Sequence, residues 1–205
     1  MVTYLTGVSN PPVRAVAQEY GIGLLLTPDT GYLRQLPSYP LWAADNGCFN
    51  HPERSVDDFM RWLKNIPVGL FAPAPDVVGN AQLTLERSLP VLPQIRDMGW
   101  PAAYVAQDGL DATVVPWEAF DVLFIGGTTE FKLGSVAKYF ARQAKMRNKR
   151  VHMGRVNSYK RLKLANDWGC DTVDGTYLAF GPAVNLPKLL RWLTRLKEDG
   201  ACGKG

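Results

Sequence analysis

The sequence predicts an α/β protein, a compact single-domain (β/α)8 TIM-like barrel over residues 1–199, with residues 200–205 as a disordered tail. Three observations carry that prediction. Short apolar runs, many of them β-branched, alternate with longer stretches of helical period, the pattern of parallel strands joined by crossover helices. Eight such runs fit into the 205 residues. Six consecutive runs end in polar or glycine-rich residues, as expected where strand ends build the mouth of a barrel. An open doubly wound sheet shares the first of these features. However, neither Gly-x-Gly-x-x-Gly nor Gly-x-x-x-x-Gly-Lys occurs in the chain, which lowers the dinucleotide and NTPase readings.

Taken in order, a first strand is expected at Thr3–Leu5, followed by a helix over Pro12–Tyr20. The second strand, Gly23–Leu26, leads to a short turn near Gly31–Leu36. The third, Leu41–Ala44, precedes a helix over Ser55–Asn65. There Ser55 is the capping hydroxyl and Asp57 and Asp58 favour the positive helix start. Val56, Phe59, Met60 and Leu63 form its i, i+3, i+4, i+7 apolar stripe. The fourth strand, Gly69–Ala72, is followed by a long helix over Ala81–Met98. The fifth, Ala102–Val105, is followed by a short helical segment at Trp117–Phe120. The sixth, Val122–Ile125, leads to a helix over Gly134–Arg147, and the seventh, Arg150–Met153, to one over Ser158–Trp168. The eighth, Thr172–Val173, precedes the last helix, Leu186–Lys197, with its own stripe of Leu186, Leu189, Leu190 and Leu193. These stripes are core.

Composition narrows the class. Hydrophobic residues are 46% and charged residues 20% of the chain, the balance of a soluble globular protein. No apolar run approaches the ~20 residues a bilayer span needs. Met1–Pro12 lacks the basic-then-apolar order of a signal peptide, so a cytoplasmic location is expected, with no membrane partner. Three scattered cysteines do not suggest a disulfide framework. Cys48 and His51 have a ligand-like spacing, but no second pair follows, so no metal is expected.

The net charge of +4 is modest, but it is concentrated. Phe131–Asn166 holds eleven Lys or Arg and no Asp or Glu. Such a block suits a surface that meets phosphates, the plain alternative being a solvated helix face. Lys149, Arg150, Arg155, Lys160 and Arg161 are the candidate backbone contacts.

The strand ends deliver carboxylates: Asp45 after the third, Asp76 after the fourth, Asp108 after the fifth, Glu130 after the sixth and Asp174 at the eighth. Neither histidine has an evident Ser or Cys nucleophile partner. Closely spaced carboxylates drive each other's pKa values apart, so one can attack while another carries a proton. Glycosidic bonds are broken by this division of labour. For each aspartate a helix N-cap is the plain alternative, strongest for Asp108 and weaker for Asp45 and Asp174.

At these residues the chain resembles the tRNA-guanine transglycosylase superfamily, most closely its DpdA-type relatives that modify DNA with 7-deazaguanines. The resemblance runs from Ala43 to Pro182 as an ordered series of motifs. Ala44-Asp45-Asn46-Gly47-Cys48-Phe49 looks like the family's Ser-Asp-Ser-Gly-Gly-Phe, whose aspartate acts near the leaving base. Asp76, in Ala-Pro-Asp-Val-Val-Gly, looks like the aspartate that reads the base edge. Gln107 matches a glutamine of the base pocket, and Gly126-Gly127 resembles its Gly-Gly turn. His152-Met153-Gly154 resembles the strand-seven segment. Asp174 stands where the family's nucleophile attacks C1′. The tRNA enzymes also carry a three-cysteine, one-histidine zinc subdomain late in the chain. Only Cys170 and Cys202 follow Gly154 here, so that subdomain is not expected, which suits DNA better than a folded tRNA. The pocket turn continues Thr128-Thr129-Glu130, unlike the tRNA enzymes.

The expected function is therefore cleavage of the N-glycosidic bond of a nucleobase in DNA, through base exchange with a free 7-deazaguanine. Asp174 and Asp45 would be catalytic. Asp76, Asn80, Gln107, Gly126, Gly127, Asn46 and Phe49 would bind the base, with Tyr177 or Phe180 as further stacking candidates, and no cofactor is needed. A DNA glycosylase that leaves an abasic site, as in phage defence, is the alternative. A barrel enzyme acting on a small phosphorylated metabolite and a catalytically dead nucleic-acid-binding barrel are the other classes.

Overall fold

The computed structural model describes residues 1–202 and is a (β/α)8 barrel. Its eight parallel strands are β1 (Thr3–Thr6), β2 (Gly23–Leu26), β3 (Trp42–Ala44), β4 (Ala72–Pro73), β5 (Ala102–Ala106), β6 (Val122–Ile125), β7 (Arg150–Met153) and β8 (Thr172–Gly175). They are ordered β3-β2-β1-β8-β7-β6-β5-β4. The two ends of that order meet at a seam, where Leu70 N–H donates to Trp42 O at 2.8 Å and Ala44 N–H to Phe71 O at 3.0 Å. Trp42 and Trp100 sit edge to face nearby, 5.2 Å between centroids. The expected fourth strand began at Gly69, but only Ala72–Pro73 pairs as a ladder. Gly69 lies so close to Trp42 that a Cβ would stand 2.7 Å from its carbonyl oxygen.

Strand alternation separates two cores. Leu5, Leu25, Ala43, Phe71, Ala103 and Val122 point inward and fill the barrel. The intervening residues, among them Tyr4, Leu24, Leu26, Tyr104, Leu123 and Val151, face the surrounding helices. His152 is inside the barrel as well, fully buried between Phe124 and Phe71 at centroid distances of 4.3 and 4.9 Å.

The helices are α1 (Pro11–Tyr20), α2 (Val56–Lys64), α3 (Ala81–Ser88), α4 (Leu92–Asp97), α5 (Thr129–Leu133), α6 (Ser135–Met146), α7 (Tyr159–Asp167) and α8 (Pro182–Cys202). Short 3-10 turns follow β2, at Tyr32–Ser38, and β5, at Trp117–Ala119. Capping is as anticipated for α2, where Ser55 Oγ accepts from Asp58 N–H at 3.0 Å. Phe59, Met60 and Leu63 are buried along its stripe, each contributing roughly 1.5–3 kcal/mol of transfer free energy.

Three expectations are corrected. The helix expected over Ala81–Met98 is two helices, because Pro90 has no amide hydrogen to carry the backbone ladder onward, although Leu89 before it keeps helical backbone at φ −56° and ψ −43°. Between β6 and α6 the chain forms the extra helix α5, capped by Thr128 Oγ1 accepting from Phe131 N–H. The last helix starts four residues before the expected Leu186 and continues through Cys202, past the expected tail boundary at Gly200. Pro187 is tolerated in its second turn. Residues 203–205 lie outside the described residues. No described helix is long and apolar enough to cross a membrane.

Candidate active site

The C-terminal strand ends surround a cavity of about 350 Å³, within the ~300–1,000 Å³ range of small-molecule sites. Asp45, Asp76 and Asp174 all line it. Leu25, Pro73, Val78, Val105 and Phe124 give it apolar walls.

Asp45 follows β3, and its own N–H is held by Leu26 O at 2.7 Å. One carboxylate oxygen accepts from Gly47 N–H at 2.7 Å, closing a tight turn in which Gly47 takes φ +71°. Burial pushes the carboxyl up to about 7, and the charges of Asp174 and Asp76 act in the same direction against the Gly47 bond. The group retains some accessible surface, and that surface faces the cavity. It is therefore set to exchange a proton near neutral pH.

Asp76 follows β4 and is buried. Asn46 Nδ2 donates to Asp76 Oδ1 at 2.8 Å and to Ala74 O at 3.0 Å. Gln107 Nε2 donates to Asp76 Oδ2 at 2.6 Å. Burial raises the Asp76 pKa, and these two amide bonds oppose the rise. Each oxygen keeps a second acceptor direction. Asn46 Oδ1 also accepts from Cys48 N–H, and Gln107 Oε1 from Gly79 N–H, both at 2.9 Å. Asn46 and Gln107 thus hold Asp76 and its neighbouring loops in place.

Asp174 is the penultimate residue of β8 and stands beside its barrel neighbour on β7. His152 Nε2 lies 3.2 Å from Asp174 Oδ1, and His152 Nδ1 lies 2.8 Å from Thr172 Oγ1. A carboxylate can only accept, so Nε2 is the donor in the first contact, and the Thr172 hydroxyl partners Nδ1. Arg155 N–H donates to the same Asp174 oxygen at 3.1 Å. Arg155 reaches that position only with φ +58°, a left-handed conformation unusual for a side-chain-bearing residue and costly by ~1–3 kcal/mol. Its guanidinium bonds Gly127 O and lies 4.6 Å over the Phe49 ring. Phe49 itself is exposed and lines the cavity.

Gly126 and Gly127 also line the cavity. At Gly126 a Cβ would sit 2.7 Å from Val105 Cγ1 and 3.0 Å from Gln107 Nε2. Gly127 has φ +74°.

Other expected residues lie elsewhere. Asn80 caps α3, its Oδ1 accepting from Leu83 N–H at 2.9 Å, and does not line the cavity. Tyr177 is stacked on Trp192 at 4.5 Å, against the outer core. Phe180 is exposed outside the cavity. Asp108 binds Thr128 N–H at 2.8 Å.

The basic block divides between the two ends of the barrel. Lys149 and Arg150 stand at the N-terminal end of β7, opposite the mouth, where Lys149 Nζ donates to Phe120 O at 2.8 Å. Lys145 and Lys163 are paired with Asp171 and Asp167 from just beyond the block. Arg161 lies near the mouth, its Nη1 3.3 Å from Arg155 O, and Lys160 is exposed at the start of α7.

Two residues at this site were not singled out as functional in the sequence. His152 orients Asp174. Its signal was its phase on β7, which points it inward beside the carboxylate of β8. Lys132, on α5, is 3% exposed and lines the cavity. Burial, then the nearby charge of Arg155, lowers its pKa to about 8, while Asp174 acts in the opposite direction. Within the basic block nothing distinguished it from its solvated neighbours.

No family model and no curated protein matches the chain. Solved structures do. A complex from Amycolatopsis orientalis described as BexX/CysO superposes with a TM-score of 0.63 at 16% identity, over 100% of this chain and 93% of that one. A 4-hydroxy-2-oxoglutarate/2-dehydro-3-deoxyphosphogluconate aldolase does so with a TM-score of 0.60 at 16% identity, over 95% and 93%. The N-(5′-phosphoribosyl)anthranilate isomerase of Pyrococcus furiosus gives 0.51 at 12% identity, over 97% and 99%. At these identities the likeness establishes the barrel fold. None of these three descriptions names a transglycosylase or an enzyme of nucleic acids.

Proposed function

We propose that this barrel cleaves the N-glycosidic bond between a nucleobase and its sugar in DNA. The observation that supports this reading is that Asp45, Asp76 and Asp174 converge on one cavity with apolar walls, with the Asp45 carboxyl raised to about 7. A target nucleotide leaves its stack to reach them, since C1′ and the base edge are inaccessible in a duplex. Asp76, fixed by Asn46 and Gln107, accepts hydrogen bonds from the base edge. Phe49, backed by Arg155, stacks on an exposed ring face. Asp174, aligned by His152 and the Arg155 amide, attacks C1′ and takes the sugar. Asp45 gives its proton to the departing base. The resemblance to transglycosylases favours a free 7-deazaguanine as the incoming group, and water is the alternative.

A second reading is a barrel enzyme for a small phosphorylated metabolite. The named aldolase and isomerase neighbours favour it, as do Lys132 and Arg155, two cations that face the cavity from the loops after β6 and β7. The experiment incubates the protein with DNA, with and without a free 7-deazaguanine. Released base with alkali-labile sites means hydrolysis, and incorporated base without lability means exchange. Absence of both, with full activity of Asp45→Asn and Asp174→Asn on a phosphosugar, would remove the DNA reading and the assigned roles.

A further inference from the structure

We infer that Lys132 is an amine nucleophile that forms an imine with the open-chain aldehyde of a deoxyribose held beside Asp174 and Asp45. This deepens the proposed function and rests on its sugar site. Four observations point to it. Lys132 is almost wholly buried, yet it lines the same cavity as the two aspartates. None of the ion pairs among the described residues uses its ammonium. Its strongest charged neighbour is the cation Arg155, and a desolvated lysine beside another cation is how an amine is kept partly neutral for attack on a carbonyl. The mechanism proposed above leaves it without a task.

The step balances without an added co-reactant. The Nζ lone pair attacks C1′ of the aldehyde, the C–N bond forming as the carbonyl π pair moves to oxygen. A proton passes from nitrogen to that oxygen, giving a carbinolamine. Asp45, in its protonated form, protonates the hydroxyl, which leaves as water, and the nitrogen lone pair closes the protonated imine. Addition of water reverses the sequence and frees Lys132. The aldehyde has two conceivable sources, an abasic site in DNA or a free deoxyribose phosphate.

The test treats the full chain with sodium cyanoborohydride in two arms. One contains an oligonucleotide carrying a preformed abasic site, the other 2-deoxyribose 5-phosphate. The expected result is a stable one-to-one adduct in at least one arm, mapped by peptide mass spectrometry to Lys132 in the wild-type protein. Trapping should fall at least tenfold in Lys132→Met. An adduct with DNA fits the nucleobase reading. An adduct only with the free phosphosugar upholds Lys132 and moves the substrate to the metabolite class. No adduct in either arm, or adducts mapped to surface lysines and undiminished in Lys132→Met, overturns the inference. Base release measured separately on intact DNA reports on the proposed function whatever the trapping result.

Discussion

Asp45 joins a raised carboxyl pKa to a place on the cavity wall, and two predictions follow from it and its neighbours. Its ordinary pKa of 3.8 is raised to about 7 in the folded chain. Between those values the folded state holds a proton that the unfolded chain has lost. The contribution of this group to stability is therefore best below about pH 4 and declines as pH rises through 7. Asp45→Asn removes the penalty, so its melting temperature should gain on wild type from about pH 4 to pH 7 and hold that gain to pH 8 in thermal denaturation. If Asp45 is the acid, kcat for base release should decline above pH 7, and the Asn variant should lose ~10²–10⁴ of rate. The second prediction concerns His152, which touches Asp174 and no cavity space of its own. His152→Phe should lower kcat by up to ~100-fold through misplacement of Asp174, with KM little changed. A KM effect of the same size would mean that the histidine helps to hold the substrate.

At the scale of elements, the loops after the strands carry the chemistry, and the caps carry the helices. Asn80 belongs to the second group. Asn80→Ala should cost about 1 kcal/mol in denaturant unfolding and leave the rate of base release unchanged. The sequence could not separate these roles, because Asn80 sits in the same loop as Asp76, four residues on. The strands were readable from their apolar runs, and β2, β6 and β7 carry their expected bounds. The helix after β4 was misread because its apolar period continues across Pro90, so the phase suggested continuity where the missing amide forbids it. α5 was missed because five residues are too few for a period to register. Asp45, Asp76 and Asp174 could be placed at one mouth because each lies at or just beyond the C-terminal end of a strand. What holds them was not readable. The Asn46–Asp76–Gln107 set joins loops from three strands, and only the closed barrel brings them together.

Across the whole molecule, charge is arranged by end rather than by stretch of sequence. The eleven cations between Phe131 and Asn166 looked like one surface, but chain order is not spatial order in a barrel. β7 carries Arg150 at one end and delivers Arg155 at the other. If the mouth binds DNA, Lys160→Ala and Arg161→Ala should each weaken it and lower the slope of log K against log salt by ~1. Arg150→Ala should leave both affinity and slope unchanged in a salt titration. An equal effect of all three would place DNA on the flank of the barrel and not at its mouth.

The barrel's least-bonded boundary and a buried amide–carboxylate contact turn out to share the same pair of strands. β3 and β4 are joined by two backbone bonds, and one contact ties the loops that leave them: Asn46 after the first donates to Asp76 after the second. That amide is a clasp across the zipper. Spreading the staves there would carry the proton donor and the base reader apart in a single movement. Whatever tightens the grip of Asn46 on Asp76, including a base held in the cavity against Asp45 and Asp76, would therefore also brace the whole cylinder.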